Sequence, residues 1–274
     1  MIIRDCDRPI GIFDSGLGGL TVLKEIHKML PNEDLVYFGD NGRTPYGTKS
    51  KETVIRYTFQ DIHFLQTHRV KMIVIACNTA SSCSLPHVIA KSDIPIVEVI
   101  GPGSHAAVNA TVNKKIAVIG TPATISSGVY KTALENILPG VQYFGKACPL
   151  FVPLVEEGWW DNDIAKAVAA QYLKEVAASR ADTMILGCTH YPLLISAIRS
   201  VLGDSVFLVN SALAVANEVK MRLREFCMLR EASADHTGKM SFYTSDSAEK
   251  FAALGSVFLG EPLEDVHKIE IEEY

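Results

Sequence analysis

The chain has 274 residues, 48% hydrophobic and 21% charged, with a formal net charge of −5 at pH 7. That length suits two domains of ordinary size, the composition excludes a disordered polymer, and a mild negative charge without a Lys/Arg cluster excludes general attraction to nucleic acid or an anionic membrane. The six cysteines form no CxxC pair and no zinc-like spacing with the eight histidines, so they are read as reduced thiols and no metal is expected.

Charges at Arg4, Asp5, Asp7 and Arg8 occupy the stretch where a secretory leader would be apolar, and no later run approaches membrane-span length, so a cytoplasmic protein is expected. A strand over residues 10–13 leads to a helix over 21–30, in which Val22, Leu23, Ile26, Met29 and Leu30 share one face. Between them, Asp14-Ser15-Gly16-Leu17-Gly18-Gly19 resembles a phosphate loop, but Thr21 stands where GxGxxG needs its last glycine. A dinucleotide is therefore not expected. The turn instead presents Asp14 and Ser15 at a sheet edge, where Asp14 can meet an ammonium, assist a neighbouring thiol or simply cap the next helix. After a strand at 37–39, Pro45-Tyr46-Gly47 offers backbone N–H groups and a phenol, or is a plain turn. A helix over 51–67 follows, then the apolar run Val74-Ile75-Ala76, which ends at Cys77.

The second half repeats this order. Residues 10–13 and 37–39 recur 106 positions later at 116–119 and 143–145, the latter pair both reading Tyr-Phe-Gly; Cys77 and the strand at 96–99 recur 111 positions later as Cys188 and 207–210. Four strands in one order at near-constant spacing indicate a duplicated α/β unit with a boundary near residues 100–114. A tail lies outside the repeat: a helix over 212–228, a polar loop, a strand over 240–244 and a helix over 247–254. It packs on one of the two halves: covalently it follows the second, but a double crossover between the domains would return it to the first.

Cys77 and Cys188 each close an apolar run at the carboxyl end of a strand, where open α/β sheets hold their ligands. Asn78-Thr79 and Thr189-His190 read as caps of following helices, with Pro192 in the first turn of the second. A helix N-terminus favours thiolate and attracts carboxylates. One such cysteine reads equally as a nucleophile or a small buried residue; two in matching contexts point to a reaction served from opposite sides. His190 can relay a proton or play a structural part, and Glu156, beside an apolar run, is ordinarily a solvated helix cap. Cys6, Cys83, Cys148 and Cys227 lack that context.

On Phe13-Asp14-Ser15-Gly16-Leu17-Gly18-Gly19-Leu20, Pro45-Tyr46-Gly47, Ala76-Cys77-Asn78-Thr79-Ala80, the run from Pro149 through Glu156 to Gly158, Gly187-Cys188-Thr189-His190-Tyr191-Pro192 and Phe242-Tyr243-Thr244, the chain is similar to the glutamate racemases of the cofactor-independent Asp/Glu racemase superfamily. His190 after the second Cys-Thr favours these over the aspartate racemases, while Asp40-Asn41-Gly42-Arg43-Thr44 departs from the usual Asp-Thr-Ala-Arg. The resemblance implies an α/β fold of two similar domains, with mostly parallel sheets related by pseudo-two-fold symmetry and the active site in the cleft between them. The first domain would comprise residues 1–100 with the returning tail, 211–274, and the second residues 101–210. It implies Cys77 and Cys188 as catalytic bases assisted by Asp14, His190 and Glu156, and substrate contacts from Asp14, Ser15, Tyr46, Gly47, Asn78, Thr79, Thr121, Thr189 and His190. It further implies glutamate as substrate, no cofactor, a homodimer, and D-glutamate delivered to peptidoglycan synthesis. With nine residues before the first strand, an activator-binding N-terminal extension is not expected. The rivals are a cysteine-nucleophile hydrolase, which leaves one thiol unused, and a two-lobed dicarboxylate-binding protein.

Overall fold

The computed structural model describes residues 5–232 and 236–274. Residues 1–4, part of the stretch read for a leader, and 233–235 of the polar loop lie outside these. Among the described residues no helix is long and apolar enough to cross a membrane.

Four strands of the first half, β1 (Ile10–Asp14), β2 (Leu35–Gly39), β3 (Met72–Ile75) and β4 (Ile96–Glu98), have counterparts in the second: β5 (Lys115–Gly120), β6 (Gln142–Ala147), β7 (Thr183–Gly187) and β8 (Phe207–Val209). The tail supplies β9 (Met240–Thr244) and β10 (Val266–Lys268). They form two sheets, ordered β10-β9-β2-β1-β3-β4 and β6-β5-β7-β8, with every pairing parallel. The duplicated spacing thus corresponds to a duplicated topology, 2-1-3-4 in each half.

Continuous apolar strands arise because both sheet faces are covered. Ile10, Ile12, Met72 and Val74 join one core with the helix Leu20–Met29, whereas Phe13, Phe38, Ile73 and Ile75 join another with the helix Lys51–Thr67. That longer helix starts where Ser50 Oγ accepts the Thr53 N–H at 3.3 Å, a side-chain N-cap.

The tail returns to the first sheet, β9 pairing with β2 and β10 with β9. The physical need is plain in the sequence of β2: Leu35-Val36-Tyr37-Phe38-Gly39 is buried throughout, and as an open edge it would be an aggregation template. Its counterpart β6 carries Gln142 and Lys146 and stands as a half-exposed edge. The tail helix spans Ser211–Glu225, shorter than the expected 212–228, and packs against Leu20–Met29 and the helix Ile100–Ala110. The last long helix, Ala248–Leu259, outruns the expected 247–254 and stops at Gly260, whose φ of 86° is a left-handed C-terminal stop.

In each sheet the chain leaves the central strand in one direction and later returns on its other side, making a switch point between β1 and β3 and another between β5 and β7. Asp14 and Cys77 flank the first; Thr121 and Cys188 flank the second.

Candidate active site

A single small cavity joins the two switch points. Its walls include Ser15, Tyr46, Gly47, Cys77, Asn78 and Thr79 from the first half. The second half contributes Thr121, Cys188, Thr189 and His190, together with Val152, which sequence reasoning did not single out. Two expected residues lie just behind these walls. Asp14 is fully buried at the end of β1, and Glu156 stands at the end of the helix Phe151–Glu156, against His190. The enclosed space, about 20 Å³, takes one water molecule.

The thiols differ in their local framework. Cys77 is itself the N-cap of the helix Asn78–Ile89, its sulfur accepting the Ala80 N–H at 3.4 Å. Asn78 and Thr79 are therefore first-turn residues, where the sequence suggested caps. After Cys188 the chain makes a 3-10 turn, Tyr191–Leu194 with Pro192 in its first turn, and the α-helix starts only at Ile195. The expectation of matching helix N-termini behind both sulfurs holds at Cys77 alone.

Their electrostatics differ as well. Cys77 donates to Ser15 Oγ at 3.4 Å; burial pushes its pKa up, and the nearby Asp14 charge pushes it further. Asp14 in turn has its pKa raised by burial, partly offset by the charge of His190 and by backbone N–H groups, with the Gly19 N–H donating to Oδ2 at 3.1 Å. Its other oxygen has no hydrogen-bond partner, leaving an acceptor available beside Cys77. Cys188 Sγ lies 3.9 Å from His190 Nδ1. Across the ring, Nε2 is 3.3 Å from Glu156 Oε1, close enough for charge attraction though not aligned as a hydrogen bond. Burial alone would lower the His190 pKa; contact with Cys188 and Glu156 outweighs it and raises the group to about 10. Cys188 thus faces a cation and Cys77 an acid.

The halves touch through short polar contacts. Thr79 Oγ1 is 2.9 Å from Thr121 Oγ1, and Tyr130 Oη donates to Asn78 Oδ1 at 2.7 Å, which leaves the Asn78 NH2 as the donor end of that amide. Gly18 approaches Thr189 and His190 so closely that a Cβ there would stand 2.2 Å from Thr189 Oγ1 and 2.6 Å from His190 Nδ1; only glycine fits without moving them.

Behind Tyr46 lies a polar network that sequence reading missed. Tyr46 Oη contacts Asp40 Oδ2 and lies 2.9 Å from Asp61 Oδ2. Arg43 bridges the same carboxylates, Nε to Asp40 Oδ2 at 2.7 Å and Nη2 to Asp61 Oδ1 at 3.0 Å. Arg43 lies in the segment 40–44 that departs from the usual pattern, but Asp61 sits mid-helix with no local motif; its one signal is an acidic residue at helical spacing from Val54, Thr58 and Leu65 on the buried face.

Residues 10–219 match the family model described as Asp/Glu/Hydantoin racemase. A glutamate racemase of Geobacter metallireducens is 47% identical, the alignment covering 97% of each chain. Among solved structures, glutamate racemase isoform RacE1 from Bacillus anthracis superposes with a TM-score of 0.91 at 37% identity, over 96% of this chain and 97% of that one. The glutamate racemase of Francisella tularensis, solved with D-glutamate, gives a TM-score of 0.91 at 36% identity, over 98% of this chain and all of the other. With the family model matching most of its length and full-length relatives at this identity, the chain belongs to the Asp/Glu/hydantoin racemase family, among its glutamate racemases.

Proposed function

We propose that this chain interconverts L- and D-glutamate by moving the Cα proton between two thiols, Cys77 and Cys188, without a cofactor. The observation that carries the reading is that both sulfurs line one cavity, one contributed by each sheet. Inversion needs a base on one face of a planar carbanion and an acid on the other. The two sulfurs are unequal in the free protein: Cys188 faces the His190 imidazolium, while burial and the Asp14 charge raise the pKa of Cys77. By family likeness Cys77 faces the D-glutamate proton, so Cys188 takes the proton of L-glutamate and Cys77 delivers the one that forms the D-enantiomer.

The Cα–H is far less acidic than a thiol, so most of the barrier must fall through donors on the α-carboxylate as charge develops. The first-turn N–H groups of Asn78–Ile89 and the amide of Asn78 serve this purpose; Ser15, Tyr46-Gly47, Thr79, Thr121 and Thr189 complete the substrate shell, and the free oxygen of Asp14 suits the ammonium. Glu156 acts through His190. Because the cavity holds about one water, glutamate enters only when the halves or lining side chains part. The domains follow the sheets, residues 1–100 with 211–274 and residues 101–210. The family likeness further supports a cytoplasmic homodimer whose D-glutamate feeds peptidoglycan synthesis.

Purified protein incubated separately with L-glutamate and L-aspartate, followed by optical rotation, tests the substrate. Rotation should decay to zero with glutamate and stay constant with aspartate; inversion of aspartate alone overturns the assignment.

A further inference from the structure

We infer that Asp61 is a positioning residue held as a neutral carboxylic acid, and that its proton completes a relay fixing the Pro45-Tyr46-Gly47 turn against the substrate cavity. The inference deepens the proposed racemase reading, since it gives that turn its rigidity. It rests on counting protons. A phenol has one hydrogen to donate, yet Tyr46 Oη touches two carboxyl groups, Asp40 Oδ2 and Asp61 Oδ2. At one of them the carboxyl must be the donor. Asp40 cannot serve, because the oxygen that meets Tyr46 also accepts from Arg43 Nε at 2.7 Å, and its other oxygen accepts from Ser245 Oγ at 2.7 Å. Asp61 can: Oδ1 accepts from Arg43 Nη2 at 3.0 Å, while Oδ2 meets only Tyr46 at 2.9 Å.

The directed chain is then Asp61 Oδ2–H to Tyr46 Oη, and Tyr46 O–H to Asp40 Oδ2. Every hydrogen then points at an acceptor, with Asp40 Oδ2 accepting from both Arg43 Nε and Tyr46 Oη, and one arginine balances one carboxylate. Both aspartates are fully buried and Tyr46 is 1% exposed, so a second, uncompensated anion would be costly. Independently, burial and the neighbouring charge of Asp40 raise the pKa of Asp61 well above the carboxylate range; Asp14 adds to this, and Arg43 and Tyr46 oppose it.

The network joins the turn to the helix Lys51–Thr67. Arg43 also donates to Gln60 Oε1 at 2.6 Å and lies 4.1 Å over the Tyr57 ring. At its far end the turn meets the opposite half, where a Cβ on Gly47 would stand 2.6 Å from Thr121 Cβ. Small displacements of Tyr46 thus reach the cavity wall directly.

The test compares Asp61→Asn with Asp61→Ala. Asparagine offers a carbonyl to Arg43 and an N–H to Tyr46, the pattern of the neutral acid; alanine removes both. Asp61→Asn should keep KM for glutamate within about threefold of wild type, whereas Asp61→Ala should raise KM about tenfold or more, with a smaller change in kcat, because Tyr46 loses a buried donor. Infrared spectra of the whole protein should show a protonated-carboxyl C=O band at neutral pH that is absent in Asp61→Asn. This readout needs no turnover, so it stands even if glutamate is not the substrate and is obtained even if Asp61→Ala does not fold. Loss of affinity in Asp61→Asn equal to that in Asp61→Ala, or a spectrum without the band, overturns the assignment.

Discussion

Cys77→Ala and Cys188→Ala should each lose racemisation by about 10³-fold in kcat/KM, the scale of a general acid or base removed from a proton transfer. The two losses should differ in degree. Beside Cys77 the cavity wall offers Ser15 and Tyr46, a hydroxyl and a phenol whose pKa is raised well above 10 by burial, with the Asp40 carboxylate adding to it. Neither replaces a thiol as base. Beside Cys188 the wall retains His190, an imidazole able to carry a proton, so Cys188→Ala should keep the larger residue of activity. Serine should be nearly as damaging as alanine at either position, because a hydroxyl is seldom ionised at neutral pH. Enantiomer-resolved chromatography of glutamate after fixed times measures this. Activity within tenfold of wild type in either alanine variant would remove that sulfur from the mechanism.

His190→Asn should lower kcat/KM by about 10²-fold, equally in both directions. Equality is compulsory: enantiomers have equal free energies, so no mutation can favour one direction in kcat/KM. The inequality of the thiols must appear elsewhere. Without its imidazolium, proton transfer at Cys188 becomes limiting, so Cα-deuterated L-glutamate should show an enlarged isotope effect while Cα-deuterated D-glutamate shows a reduced one. The stability of the fold should change too. His190 is raised from 6.5 to about 10 in the folded protein, so the folded state binds the extra proton between those values. Its contribution is full below about pH 6.5 and is lost as pH rises through about 10. Wild type should therefore lose thermal stability across that window relative to His190→Asn. Parallel melting curves from pH 6 to 10 would contradict the ion-pair description of His190.

Much of the fold was legible because it repeats. The paired strands, the offset of 106 to 111 residues and the two cysteines at strand ends all survive in the topology. The place of the tail was also encoded, in the contrast between the wholly apolar β2 and the polar β6 edge, but that signal emerges only when the two halves are compared strand by strand. β10 was missed because three residues, two of them exposed, carry no periodicity.

The candidate site was legible where a single motif marks a cavity residue, as at Cys77, Cys188 and His190, and illegible where distant segments combine. Asp61 meets Tyr46 from a separate helix, and Tyr130 reaches Asn78 from the opposite half. The supposed symmetry behind the sulfurs failed for a local reason: Pro192 enters a 3-10 turn, which delays the helix after Cys188 to Ile195.

The central claim is that two opposed groups, one taking the Cα proton and the other delivering a different one, perform the inversion. The most direct test runs the reaction in deuterated water from protiated L-glutamate and examines both enantiomers by mass spectrometry before equilibrium. Two bases predict that D-glutamate forms already carrying solvent deuterium at Cα while the remaining L-glutamate stays protiated. Deuterium appearing equally early in the remaining L-glutamate, or D-glutamate that retains the original proton, would contradict the account.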